Sequence, residues 1–254
     1  VLSVTIICQN EENMIEDCLK SVRFADEIVI VDSGSTDKTL DICARYTDKI
    51  YHQDWLGMNQ QKQFALGKTS GDWLFNIDAD ERVSEKLAEE IRSVLGLAHQ
   101  SVVGYYVPRK AYYLGKWLKN GGWTPDFKLR LFQKEHGSWQ GLDPHDQVVV
   151  RGQCDYLHQP LLHYSFRDLS DQWRCIESYA STAAREMDTR RQTSGISKIL
   201  LHSLFAFGKS YFFKRGFLEG TRGLIQAIMI SSGVALKYAK LWERHHVPGD
   251  KSGT

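Results

Sequence analysis

The first hundred residues alternate short, mostly apolar runs with longer stretches of helical period. Leu2 to Cys8 and Ile28 to Val31 read as strands, Ile50 and Tyr51 as a short third, and Trp73 to Ile77 as a fourth. Between them, Glu11 to Val22 puts Met14, Ile15, Cys18, Leu19 and Val22 on one helical face. Thr36 to Tyr46, Asn59 to Leu66 and Ser84 to Leu95 read as further helices, the last capped by Ser84 with Leu87, Ile91, Val94 and Leu95 inward. Strands alternating with helices predict βαβ units and an α/β fold built on a mostly parallel sheet.

From about residue 100 the pattern changes. Val102 to Val107, Lys128 to Phe132, Gln147 to Val150 and Leu161 to Tyr164 read as strands separated by Gly, Trp and Pro rather than by helices. After Asp168 the chain turns helical, with a break around Thr193 to Gly195, and Pro248 to Thr254 has the composition of a disordered end.

In an open α/β sheet, ligands bind beyond the carboxyl ends of the strands. The first strand is followed by Gln9, Asn10 and Glu11, the second by Asp32-Ser-Gly-Ser-Thr-Asp37, and the fourth by Asp78-Ala-Asp80-Glu81. Two carboxylates one residue apart after an apolar strand make a compact oxygen site for Mg²⁺ or Mn²⁺, which favour few carboxylates, several waters and a phosphate partner. An acidic surface turn has the same sequence. Asp32 likewise either receives hydrogen bonds from a ligand or only builds the turn that Gly34 permits, and Asn10 is either a cap or a ligand.

Charge narrows the partners. The 254 residues hold 32 basic and 31 acidic side chains, a net +1 that argues against a general nucleic-acid binder. The balance is uneven: Arg185 to Arg244 contains eleven Lys or Arg against four acids. Five cysteines without metal-type spacing fit a reduced, cytoplasmic protein, and the apolar start lacks the basic leader of a signal peptide. The most apolar late stretch, Gly223 to Leu236, falls short of the ~20 residues of a span.

The segments LSVTIICQNEENMIEDCLKSV, IVIVDSGSTDKT, GMNQQKQFAL and DWLFNIDADER resemble, in order, the nucleotide-binding half of family 2 glycosyltransferases, which have the GT-A fold. Within that family GGWTPDFKLRLF, LLHYSFRDLSDQW, KRGFLEGTRGLIQA and KYAKLWE are similar to lipopolysaccharide inner-core β-1,4-glucosyltransferases. The resemblance implies a UDP-sugar donor held by Gln9, Glu11, Asp32, Lys62, Asp78 and Asp80. Asp32 would meet the uracil and Glu11 the ribose. Gln9 replaces the aromatic residue, and Lys62 the arginine, that many relatives have. It implies a divalent cation, Mg²⁺ or Mn²⁺, on Asp80, Asp78 and His163, which would stabilise UDP as leaving group.

A general base is expected on the acceptor side, and the resemblance favours Asp146 over Asp143, whose Pro144 suits a turn. Gly121-Gly122-Trp123 resembles the glycine loop beside the donor sugar, with an ordinary turn as the alternative. Trp139 and the Tyr112-Tyr113 pair either stack on acceptor rings or pack the core. The expected organisation is a nucleotide-sugar-binding half over 1–98, an acceptor-side half over 99–170, and a basic helical region over 171–254. Basic groups beside aromatics there fit helices lying on an anionic membrane surface, which salt would release. The expected activity is inverting transfer of glucose from UDP-glucose to an inner-core heptose of a lipid-linked oligosaccharide acceptor, on the cytoplasmic face of the inner membrane. The rival readings are another UDP-sugar or a polyprenyl-linked acceptor, a non-catalytic glycan or lipid binder, and a nucleotidyltransferase, for which no basic triphosphate cradle is evident.

Overall fold

The computed structural model describes residues 1–97, 101–123, 126–140 and 147–247. In chain order its elements are β1 (Leu2–Cys8), α1 (Ile15–Ser21), β2 (Glu27–Asp32), α2 (Thr39–Cys43), β3 (Ile50–His52), α3 (Met58–Lys68), β4 (Trp73–Asp78), β5 (Glu81–Val83) and α4 (Glu85–Leu95). There follow β6 (Val102–Tyr113), β7 (Lys116–Trp117), β8 (Asp126–Gln133), β9 (Gly137–Gln140), β10 (Gln147–Val150), β11 (Gln153–Tyr156), β12 (Leu161–His163), α5 (Leu169–Thr189), α6 (Ile196–Gly208) and α7 (Thr221–His246).

The chain forms two compact units, Val1–Ala111 with Pro125–Ser165, and Tyr112–Thr124 with Phe166–Thr254. The first is built on a mixed sheet of order β3-β2-β1-β4-β8-β6-β12-β5. Strands β1 to β4 are parallel, and β8 enters antiparallel between β4 and β6. All seven residues of β1 and all six of β2 are buried, which is why both read as apolar runs rather than as alternating ones. Ile6, Ile30, Phe75 and Ile77 pack with Ile15 and Leu19 of α1 and with Leu87 and Ile91 of α4. The Ser84 hydroxyl caps α4 by accepting from the Leu87 N–H at 3.2 Å.

Two predicted helices are shorter than their apolar pattern. The N–H groups of Asn10, Glu11 and Glu12 donate to Ser35 Oγ, Thr39 Oγ1 and Asp37 Oδ2, and a turn closed by the Met14 and Ile15 N–H groups on the Glu11 carbonyl precedes α1. Asp37 also accepts from the Thr39 N–H at 2.9 Å and so delays α2 to Thr39.

In the second unit, α7 packs against both α5 and α6. Lys240 reaches Glu177 at 2.5 Å, Arg244 and His245 both reach Asp188 at 2.9 Å, and Ser231 Oγ donates to the Ser203 carbonyl. Among the described residues α7 is the one helix long and apolar enough to cross a membrane. The stretch 112–123 is fastened to these helices. Glu219 accepts from the Lys119 N–H at 3.0 Å, from Asn120 Nδ2 at 2.9 Å and from Lys116 Nζ at 3.0 Å. Gly121 donates to the Lys214 carbonyl at 2.8 Å and accepts from Ser210 Oγ at 2.9 Å. Its φ of 94° suits glycine, and a Cβ there would sit 1.9 Å from Gln226 Oε1.

Candidate active site

The parallel strands end level with one another. Register pairs Cys8 with Asp32, Ile7 with Asp78, and Asp32 with His52. Their polar followers therefore share one edge of the sheet, as the sequence pattern predicted.

Asp32 is 2% exposed and accepts from the N–H groups of Gly34 at 2.8 Å and Ser35 at 2.9 Å, and from the Ser35 hydroxyl. Three of a carboxylate's roughly four acceptor sites are thus used by its own turn, for which Gly34 supplies a φ of 92°. Gln9 extends over this loop, Nε2 donating to the Ser33 carbonyl at 3.0 Å. Asn10, at φ 58°, accepts from the Thr36 N–H at 2.8 Å, which clamps the first two loops together beside Glu11.

At the end of β4 the structure builds a compact ion cluster. Arg130 of β8 is buried and donates at 2.7 Å to both Asp78 Oδ2 and Glu81 Oε1, and at 3.0 Å to Asn76 Oδ1. Lys62 of α3, also buried, stands 3.3 Å from Asp78 Oδ1 and 4.9 Å above the Trp139 ring. Glu81 is fully buried; Oε2 accepts the Asp78 N–H at 2.9 Å while Oε1 also faces Arg109 at 3.4 Å, and Arg109 goes on to Asp126. With Lys128 3.4 Å from Asp126, four cations thus answer three carboxylates. Burial would raise the pKa of Asp78, but the charges of Arg130 and Lys62 outweigh it and hold this carboxyl well below the usual range.

Asp80 is placed differently. Its Oδ2 lies 3.1 Å from His163 Nε2 on β12, and its carbonyl accepts the Tyr164 N–H at 2.9 Å. His163 Nδ1 is 3.0 Å from Ser165 Oγ. Burial pulls the His163 pKa down, yet the hydrogen bond and charge of Asp80, with Glu81 behind, carry it above its ordinary value. Arg82 ties the loop by donating to the carbonyls of Ala79 and Glu81 at 2.8 Å. Among the described residues no three His, Cys, Asp or Glu side chains gather as a metal cage.

Of the predicted residues, Gln9, Glu11, Asp32, Lys62, Asp78, Asp80 and His163 all lie in the sheet unit. Asp78 is tied to Lys62 and Arg130, whereas Asp80 pairs with His163. Asp146, with Asp143, lies outside the described residues. Tyr113 is a packing residue, 1% exposed with its hydroxyl 2.7 Å from Gln172 Oε1; Trp139 is buried beneath Lys62. Trp123 packs edge-on against Tyr113 at 5.1 Å. Sequence reasoning missed Arg130, Arg109 and the bridging role of Glu81. The available signal was an arginine inside the apolar run Leu129-Arg130-Leu131-Phe132, because a charge on a buried strand needs a buried partner.

Residues 3–150 match the family model described as Glycosyl transferase family 2. The chain belongs to that family. It is 32% identical over 96% of its length to the lipopolysaccharide core biosynthesis glycosyltransferase LpsC of Rhizobium meliloti (strain 1021), covering 93% of that protein. An uncharacterized glycosyltransferase of Rickettsia typhi is 29% identical over 95% of this chain and 87% of its own. Among solved structures, S. aureus TarS 1-349 in complex with UDP-GlcNAc is similar over 96% of this chain and 91% of its own, at 13% identity and a TM-score of 0.49. Glucosyl-3-phosphoglycerate synthase from Mycobacterium tuberculosis, in complex with Mg²⁺ and UDP, is similar over 74% and 78%, at 17% identity and 0.47. The family 2 chain is a glycosyltransferase, and its mixed sheet with a helical C-terminal region is the GT-A fold expected from its sequence.

Proposed function

We propose that this glycosyltransferase moves glucose from UDP-glucose to an inner-core heptose of lipopolysaccharide, with inversion, at the cytoplasmic face of the inner membrane. The observation that carries the acceptor is full-length similarity to a lipopolysaccharide core biosynthesis glycosyltransferase. In this reading Gln9, Glu11, Asp32 and Lys62 line the nucleoside and phosphates of the donor. Asp32 is held by its own turn and by the Cys8 thiol, 3.8 Å from Oδ1, and the clamped Asn10 and Ser35 fix the loop around it.

Asp80 and His163 present one oxygen and one nitrogen side by side, while Asp78 Oδ1, which has no hydrogen bond, faces the Lys62 ammonium at 3.3 Å. These donors fit a divalent ion of the Mg²⁺ or Mn²⁺ kind that keeps most of its shell for phosphate and water. Bound there, the ion would neutralise the diphosphate of the departing UDP. Arg130 and Glu81 hold the backbone between Asp78 and Asp80 in place, one through the Asp78 carboxylate and the other through its N–H. Asp146 is the general base in this reading: it takes the proton of an acceptor hydroxyl as that oxygen attacks C1 from the face opposite UDP, which inverts the anomeric centre.

The test is transfer from a panel of UDP-sugars to a purified heptose-terminated core acceptor, with and without Mn²⁺, and the product anomer read by NMR. A β-glucoside formed only with UDP-glucose and a divalent ion supports the proposal. Transfer of another sugar, or to a polyprenyl phosphate acceptor alone, would replace it.

A further inference from the structure

From Arg190 to Leu218 the chain carries six basic residues and no acidic one. On this stretch α6 turns Leu200, Leu201, Leu204 and Phe205 outward, and the wide turn Lys209–Phe213 adds Phe212 and Phe213. These six side chains are 55–81% exposed. Residues four apart are neighbours on a helix, so Leu200-Leu204 and Leu201-Phe205 form two adjoining apolar rows. Phe212 extends them, its ring 6.4 Å from that of Phe207. Single exposed leucines are ordinary on a protein surface, but a contiguous apolar face of this size needs a partner.

The turn is not loose. Ser210 is buried and donates to the Gly121 carbonyl, the Lys214 carbonyl accepts the Gly121 N–H, and Tyr211 stacks on Phe207 at 5.4 Å. Phe212 and Phe213 are therefore held outward by an anchored backbone. Lys198, Lys209, Lys214 and Arg215 are all exposed along the same stretch.

We infer that α6 and the Lys209–Phe213 turn form a wedge that inserts among the acyl chains of an anionic bilayer leaflet, with the basic side chains at head-group level. With 13 residues α6 is about 20 Å long, too short to cross a hydrocarbon core of about 30 Å, so it lies in the interface. A second copy of the chain is the poorer occupant, because two such faces would bring together eight cations, Lys198, Lys209, Lys214 and Arg215 of each copy, with no acidic residue between Ile196 and Leu218 to answer them. The inference deepens the membrane side of the proposed function and rests on it. It departs from the sequence expectation in one respect: the basic groups select the leaflet, but the apolar rows retain the protein, so salt does not release it.

Flotation of the full chain on vesicles tests this without any sugar, so that failure here and failure of the sugar assignment are separately visible. The wild type should float with phosphatidylcholine vesicles containing about 30% phosphatidylglycerol, and stay bound when salt is raised to about 0.5 M, where charge screening leaves only a few ångströms of reach. Leu201→Gln/Phe205→Gln/Phe213→Gln changes only exposed positions; circular dichroism should be unchanged while partitioning falls by about a hundredfold or more at either salt. Lys209→Gln/Lys214→Gln/Arg215→Gln should reduce capture at low salt by about tenfold or more. No flotation at low salt, complete release by salt, or undiminished flotation of the apolar triple variant would overturn the inference. So would a dimer, seen by light scattering, that the same variant dissociates.

Discussion

The Asp80 carboxylate and the His163 imidazole, 83 residues apart in the chain, meet at 3.1 Å. Pairing of β5 with β12 brings them together: His163 is opposite Glu81 in the register, and Tyr164 closes the ladder on the Asp80 carbonyl. Ser165, at the other ring nitrogen, sets the imidazole plane. The two side chains are thereby held in place before any ligand arrives, as the proposed reading requires of the protein half of its cation site.

Asp80→Ala should cut metal-dependent turnover by roughly two to three orders of magnitude while leaving the thermal melt close to that of wild type. Initial rates across a Mn²⁺ titration are the measurement. Wild-type rates with the same Mn²⁺ dependence would remove Asp80 from the metal assignment.

Asp146→Asn should retain UDP-sugar affinity and lose transfer by roughly two to four orders of magnitude. Calorimetric titration of UDP-glucose beside a transfer assay separates the two. A parallel loss of donor binding would move the base elsewhere, to Asp143 first.

Arg130→Met should destabilise the sheet unit by roughly 3 to 5 kcal/mol, because it leaves the buried Glu81 and the partly buried Asp78 with less opposing charge. Urea unfolding of the variant checks this. A double variant that also replaces Glu81 with Gln should recover part of the loss, and strict additivity would show that the two do not act as a pair.

Glu27 gives the fold an acid limit. Burial would raise its pKa, but hydrogen bonds from Lys49, Ser3 and Ser70 bring it from an ordinary 4.5 down to about 2. A depressed carboxyl stabilises the fold above its unfolded pKa and loses that contribution as pH falls through the folded value. The contribution is therefore complete above about pH 5 and fades between pH 4.5 and about 2. It amounts to roughly 2 kcal/mol once the half-exposed Lys49 is discounted for solvent screening. Glu27→Gln should lower the neutral-pH melting temperature and flatten the acid slope; an unchanged slope from pH 5 to 3 would exclude this role.

The nucleotide-side half of the fold was legible because its strands are buried on both faces. Leu2 to Cys8 was recovered residue for residue, and Glu27 and Asp32, polar residues at the ends of β2, extend the second strand beyond its apolar Ile28 to Val31. β5 was not legible. Glu81-Arg82-Val83 carries two charges, and what makes it a strand is pairing with Leu161 to His163 and burial of Glu81 against Arg109 and Arg130, all distant in sequence. The same gap explains the site. Asp78 and Asp80 stood out as a motif, but their different fates depend on Arg130 and His163, which only the folded sheet brings to them.

The fastening of 112–123 to the helices limits how this enzyme can be recombined. The chain passes between its two compact units after Ala111, Thr124 and Ser165, so no single junction separates them. A fragment ending at Ser165 would keep every strand. It would also keep the glycine loop, but without the Glu219 carboxylate, the Ser210 hydroxyl and the Lys214 carbonyl that shape it. Exchange of the helical region between relatives therefore has to carry the loop with it as a second, internal graft.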